Sequence, residues 1–107
     1  MPAIGYVRRT DTGFTGEIRT LSIQAPIRIA RNTAKSADGQ PDYKIFTVGD
    51  IEIGAAWIRT ARSTGASYVS LSLAAPAFGP RKLYANLGRA AGQDDPDVFA
   101  VIWNPLD

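Results

Sequence analysis

The sequence predicts an all-β fold, an antiparallel meander of seven or eight strands that is either open or partly closed into a small barrel. Apolar and polar residues alternate with a period of two through most of the chain, and Gly, Pro, Asp and Asn bound the alternating runs. No window carries a helical apolar stripe, and no strand-helix-strand rhythm indicates a parallel sheet. Closure would hide the strand edges that otherwise promote aggregation.

Length and composition predict a single β domain over residues 1–107. Two separate cores within 107 residues would each bury too little apolar surface to be stable. Hydrophobic residues make up 45% of the chain and charged residues 21%, as in an ordinary globular protein. We therefore expect one packed core.

The first part of the chain contains three predicted strands. Residues 4–9 and 14–23 are predicted to form a hairpin. Near Arg19 the apolar residues of the second strand change from one face to the other, which predicts a bulge or bend there. Pro26 precedes a short strand that we expect at an edge of the sheet or to begin late. Residues 31–41 contain no large apolar side chain and predict a mobile surface loop.

The second half begins with a predicted hairpin. Residues 43–48 and 51–60 flank Gly49 and Asp50, which suit a two-residue turn. Regular alternation would place Ile53 and Trp57 on one face of the second strand, and this favours burial of Trp57. The remaining predicted strands are residues 67–74, 81–87 and 98–103, and the first of these directs Val69, Leu71 and Leu73 to one side.

The chain has no cysteine and no histidine, and this double absence excludes several kinds of chemistry. Disulfides, thiolate metal sites, a cysteine nucleophile and the commonest general base near neutral pH are all excluded. Of the carboxylates, only Glu17 and Glu52 lie within predicted strands, where both alternate with apolar residues as outward-facing side chains do. We therefore expect no enzyme, no catalytic residue, no metal ion and no cofactor.

The sequence also carries no membrane or export signal that we recognise. No run of about 18 apolar residues occurs, and MPAIGYVRR lacks the basic-then-apolar order of a signal peptide. We expect a cytoplasmic protein with no membrane partner.

Positive charge is concentrated in the middle of the chain. Residues 54–93 contain five basic residues and no acidic residue, and aromatic side chains alternate with them on neighbouring predicted strands. Single-stranded nucleic acids bind such surfaces because bases stack on aromatic rings while Arg and Lys contact phosphates. A solvated face, with Trp57 and Tyr84 packed in the core, is the alternative interpretation. The candidate nucleic-acid-binding residues are Arg59, Arg62, Tyr68, Arg81, Lys82 and Tyr84.

Three motifs resemble a known family. Over almost its whole length the chain is similar to the bacterial domain-of-unknown-function family 736. The motifs that carry this resemblance are GFTGEIRTL, EIGAAW and YANL. The resemblance implies a short protein of the kind often encoded on plasmids and other mobile genetic elements. It identifies no catalytic or binding residue.

Two functions remain open from the sequence. The first is a small non-enzymatic module that binds single-stranded or duplex nucleic acid and is associated with mobile genetic elements. The alternative is a protein-interaction or inhibitor domain, for example one that counters a host defence by binding a host protein. The protein would be a monomer or a homodimer, with residues 69–73 and 98–103 available to pair at an exposed edge.

Overall fold

The computed structural model describes residues 3–21, 23–75, 80–90, 92 and 94–104. These residues form eight strands and a short 3₁₀ turn at Val48–Asp50. The strands are β1 (Ala3–Thr10), β2 (Gly13–Arg19), β3 (Gln24–Arg31), β4 (Tyr43–Phe46), β5 (Glu52–Thr60), β6 (Ser67–Leu73), β7 (Leu83–Arg89) and β8 (Val98–Trp103).

The strands form an antiparallel meander that closes into a barrel. Each strand pairs with the next along the chain, and β8 pairs with β1, for example through Val7 and Phe99. The predicted all-β meander is therefore confirmed, and its closure is complete. The expectation that β6 and β8 offer an exposed edge is wrong, because each pairs with a neighbour on both sides.

The core lies inside the barrel. Period-two alternation turns every second side chain inward, and β-branched residues pack well on such a surface. As predicted for β6, Leu71 and Leu73 are buried, and Val69 packs against the core. Within the described ranges no charged or polar residue is buried. The largest fully buried side chains are Ile18, Ile29, Ile45, Leu71, Leu73 and Val101.

A β-bulge interrupts β5 near its start. Ile45 pairs with Gly54, whereas the next residue of β4, Phe46, pairs with Glu52. Ile53 is therefore an extra residue in β5 and has no partner of its own in β4. Its side chain is nevertheless buried in the core.

The bulge reverses the apolar phase of the rest of β5. Ala56 is buried and lies opposite Leu71, so Trp57, the next residue, faces outward opposite Ser70. The prediction that Trp57 shares the inward face of Ile53 is therefore wrong. Regular alternation could not anticipate this result, because the extra residue is visible only in the pairing with β4.

Two further boundaries differ from the predictions. The phase slip near Arg19 is the end of β2 rather than a bulge, and the N–H of Thr20 donates to the carbonyl of Ile23 in the turn that follows. The predicted hairpin turn after β4 contains three residues, closed by a hydrogen bond from the N–H of Thr47 to the carbonyl of Ile51. The expectation that the strand after Pro26 is an edge strand or begins late is wrong, because β3 begins at Gln24 and pairs with both β2 and β4. Pro26 itself lies opposite Glu17, before the segment that pairs with β4, so its missing N–H breaks no pairing there.

Hairpin topology gives the barrel two distinct ends. The upper end carries the β1–β2, β3–β4, β5–β6 and β7–β8 connections, and the lower end carries the other three. The predicted turn at residues 75–80 falls largely outside the described residues.

Candidate nucleic-acid interface

The outer surface of β5, β6 and β7 carries three aromatic side chains. Strand register places Trp57 beside Ser70 and Ser70 beside Asn86. One row above, Arg59 lies opposite Tyr68; one row below, Ser72 lies opposite Tyr84. We call this surface the aromatic face, and its side chains are Trp57, Arg59, Tyr68, Ser70, Ser72, Tyr84 and Asn86.

The aromatic face encloses a hollow of about 280 Å³. Ser70 and Ser72, the middle residues of the three-strand surface, are small, whereas the flanking strands contribute large side chains. The rings of Trp57, Tyr68 and Tyr84 are half-buried and rim this polar floor. A flat ring of a ligand can therefore lie against an aromatic surface while its polar edge meets hydroxyl groups.

Two contacts orient the Trp57 side chain. Its indole Nε1–H donates a hydrogen bond to the carbonyl of Gly39, with an N–O distance of 3.2 Å. The Arg59 guanidinium carbon lies 5.6 Å from the centroid of the Trp57 ring, within the range of a cation–π contact. The indole is thus held between the β3–β4 loop and a cation of its own strand.

Asp42 attaches the β3–β4 loop to β5. Its carboxylate accepts a hydrogen bond from Lys35 Nζ at 2.6 Å and one from the N–H of Ile58 at 2.8 Å. The hydrogen bond from Lys35, followed by that from Ile58, holds the pKa of Asp42 below its usual value of 3.8. Because Gly39 lies in the same loop, this anchor supports the hydrogen bond that orients Trp57.

The cations of the predicted site have no acidic partners in the described part of the chain. Five ion pairs are formed there, and their basic members are Arg8, Arg9, Arg19, Arg28 and Lys35. None of them comes from residues 54–93, where acidic residues are absent. The charges of the predicted site therefore remain available to an anionic ligand.

The structure gathers three of the six predicted site residues around the hollow: Arg59, Tyr68 and Tyr84. Arg62 lies in the β5–β6 turn at the upper end, whereas Arg81 and Lys82 precede β7 at the lower end. The seven residues of β6 separate these ends by about 20 Å. The basic residues therefore lie along one side of the barrel rather than in one cluster.

The predicted set omitted four members of the aromatic face: Trp57, Ser70, Ser72 and Asn86. Alternation opposite Val69 and Leu71 does direct Ser70 and Ser72 outward, so that signal was present in the sequence. Their position between Trp57 and Tyr84 depends on strand register, which alternation does not specify.

Two features are absent from the described residues. No group of three or more Asp or Glu side chains among them could hold a metal ion. No helix in that part of the chain is long and apolar enough to cross a membrane.

Comparison with known families gives one match. Residues 3–106 match the model of a family described as Protein of unknown function (DUF736). This match confirms the resemblance carried by GFTGEIRTL, EIGAAW and YANL. The chain matches no curated protein and no solved structure.

Proposed function

The chain belongs to the DUF736 family, whose description names no activity, and we propose that it is a non-enzymatic module that binds single-stranded nucleic acid through the aromatic face. The proposed setting is nucleic-acid handling associated with mobile genetic elements. The observation that carries the proposal is the hollow rimmed by Trp57, Tyr68 and Tyr84, with the cation of Arg59 beside it.

Exposed faces of unpaired bases match this surface chemically. Every base has a π-face that can stack on an aromatic ring, and such stacking tolerates many sequences. Ser70, Ser72 and Asn86 supply hydrogen-bonding groups between the rings. The bases of a duplex already stack on one another, so single strands are the favoured form.

The remaining cations extend the surface to both ends of the barrel. Arg62 lies above the hollow, and Arg81 and Lys82 lie below it. A strand that crosses the hollow along β6 would meet positive charge at the start, middle and end of a path of about 20 Å. This distribution suits an extended phosphate backbone better than a compact anion.

Fluorescence anisotropy tests the proposal. Labelled oligonucleotides of about 12 nucleotides, single-stranded and duplex, are titrated with protein at about 50 and 200 mM salt. We expect the single strand to bind more tightly than the duplex, with affinity falling as salt rises. Absence of salt-dependent binding at micromolar protein would overturn the proposal.

A matched pair of variants locates the site. Trp57→Ala removes a ring that rims the hollow and should weaken single-strand binding about tenfold, the cost of one lost stacking contact. Tyr6→Ala is the control, because Tyr6 is 52% exposed on the outer surface of β1, outside the aromatic face. Equal losses in the two variants would show that binding does not use the aromatic face.

The protein-interaction alternative rests on a different part of the barrel. Its support is a set of exposed apolar side chains in the lower turns: Leu21, Val48 and Ile51. The test of this alternative is to replace all three residues by Ser. The variant and the unmodified chain are then compared in a pull-down from host lysate and by light scattering. A host protein retained only by the unmodified chain, or a dimer that the substitutions dissociate, would favour this alternative.

A further inference from the structure

The upper end of the barrel opens into a cavity of about 610 Å³ that shares only Tyr68 with the hollow of the aromatic face. An eight-stranded barrel is wide enough for its own side chains or for one small ligand. Deeper levels of this barrel are filled by fully buried side chains such as Ile29 and Leu71. We call the open upper level the barrel mouth, and its apolar lining is Phe14, Tyr43, Ile58, Val69, Leu87 and Phe99.

Ile58 shows that the barrel mouth is uncovered. It lies opposite Val69, which in turn lies opposite Leu87, so its side chain has the inward phase of the core. It is nevertheless 51% exposed. An inward-facing isoleucine with this exposure marks apolar surface that a ligand could remove from water.

Aromatic contacts hold the wall of the barrel mouth in place. The Phe14 ring packs edge-to-face against Phe99, with centroids 5.5 Å apart, and against Tyr43 at 5.9 Å. Such contacts restrict the rings, so the cavity is largely formed before any ligand enters.

Two arginines stand at the rim. Arg9 lies opposite Phe14, and its guanidinium carbon is 5.5 Å from the centroid of that ring and 5.2 Å from that of Phe99. Arg89 lies opposite Phe99 and forms no ion pair with any described carboxylate. The nearest carboxylate to Arg9 is that of Asp97, at a long 3.7 Å from its Nε.

Among the described residues, Asp95 is the one acidic residue that lines the cavity, and its charge is already engaged. Its carboxylate accepts hydrogen bonds from the N–H of Asp97 at 2.9 Å and from Arg8 at 2.8 Å. The hydrogen bond from Asp97 contributes most, followed by that from Arg8, and together they hold the pKa of Asp95 below its usual value. The described lining of the cavity therefore has two arginines, Arg9 and Arg89, against one carboxylate that is already bonded to Arg8.

We propose that the barrel mouth binds a small amphipathic anion, with its apolar body in the cavity and a single carboxylate at Arg9 and Arg89. The apolar lining provides the area to be buried, and the two guanidinium groups match the position of the carboxylate at the opening. This site is independent of the nucleic-acid proposal, because the ligand would occupy the inside of the barrel rather than its outer surface.

Competition for a fluorescent anion tests the proposal on the intact protein. Anilinonaphthalene sulfonate serves as the probe, and decanoate, decanol and decylamine compete for its site. We expect saturable probe binding and displacement by decanoate about fivefold more effectively than by decanol, the effect of a solvent-exposed ion pair. Decylamine should compete least. Equal competition by all three compounds, or absence of saturable probe binding, would overturn the proposal.

Matched substitutions at the two ends of the barrel locate the ligand. Ile58→Trp fills the barrel mouth and should abolish displacement by decanoate, whereas Ile51→Trp, at the lower end and 61% exposed, should leave it unchanged. Both positions are exposed, so each variant should fold, as circular dichroism can verify. Arg89→Gln should weaken decanoate about fivefold without affecting decanol. Unchanged decanoate binding in Ile58→Trp would show that the cavity is not the site.

Discussion

Two outer surfaces of the barrel, one on β1 to β4 and the other on β5, β6 and β7, both place an aromatic ring beside an arginine. On the first surface the arginines are paired with carboxylates, since Arg19 pairs with Glu17 and Arg28 with Asp50. On the second surface no carboxylate approaches the arginine beside Trp57 among the described residues. Aromatic content alone therefore does not distinguish a solvated surface from a candidate binding surface; the absence of acidic neighbours does.

Arg28 and Arg59 are two matched positions that differ in whether the arginine has a carboxylate partner. Each guanidinium stacks on a ring, Arg28 at 4.7 Å from the Phe46 centroid and Arg59 at 5.6 Å from that of Trp57. Only Arg28 also holds a carboxylate, that of Asp50 at 2.8 Å. A phosphate would have to displace this carboxylate on the first surface, whereas it would meet a free cation on the second.

The largest expected effect concerns Gly54, which directly follows the extra residue of the bulge in β5. A Cβ at Gly54 would clash with the backbone of Ser72 and Leu73 on β6, so Gly54→Ala must separate β5 from β6. We expect unfolding free energy to fall by about 3 kcal/mol, measured by urea denaturation, together with weaker oligonucleotide binding. Gly39→Ala is the control, because nothing lies within 4 Å of its added Cβ. A Gly54→Ala variant as stable as the parent would contradict this close approach of β5 to β6.

An intermediate effect is expected from charge reversal at the matched arginines. Arg59→Glu should weaken single-strand binding about tenfold and reduce the slope of log affinity against log salt, since one phosphate contact is lost. Arg28→Glu, which makes the same change in net charge on the other surface, should have a much smaller effect. Anisotropy titrations at several salt concentrations give both quantities. Equal effects would mean that overall charge, rather than the aromatic face, drives binding.

The smallest effect concerns the anchor behind Trp57. Because the pKa of Asp42 is lowered in the folded protein, its contribution to stability is present above the unfolded value of 3.8 and is lost as pH falls through the folded value. Asp42→Asn should therefore reduce stability by about 1 kcal/mol near neutral pH, and this difference should shrink toward about pH 3.

Urea denaturation at the two pH values measures this prediction. Asp50→Asn is the control from the other surface, since the Asp50 side chain is 82% exposed and its ion pair with Arg28 is solvated. If Asp42→Asn lowers the free energy of unfolding equally at both pH values, the shape of the Asp42 side chain, rather than its charge, anchors the loop.

Strand positions were largely predictable from the sequence, and the phase of β5 after its bulge was not. The boundaries of β8 (Val98–Trp103) were predicted as observed, and β6 differs by one residue, because both alternate regularly between turn residues. The start of β7 was predicted two residues early, because Arg81 and Lys82 fit the alternation but precede the first pairing at Leu83. Alternation detects an extended segment without showing where its pairing begins.

The candidate site was predictable only in part for the same reason. Tyr68 and Tyr84 were assigned from alternation, and register does bring both to the hollow with Arg59. For Trp57, regular alternation favours burial in the core, because a straight strand would turn it inward. A single extra residue at Ile53 moved it to the outer surface.

By itself, the sequence determined an all-β domain, the absence of histidine and cysteine chemistry, and an acid-free middle segment, because these follow from composition and local periodicity. Tertiary structure alone decided the closure of the barrel, the direction of Trp57 and the partners of each charge. These depend on hydrogen bonds and ion pairs between distant residues, as between Arg8 and Asp95, which are 87 positions apart. Local patterns cannot encode such pairings, whereas the register of the closed sheet determines them.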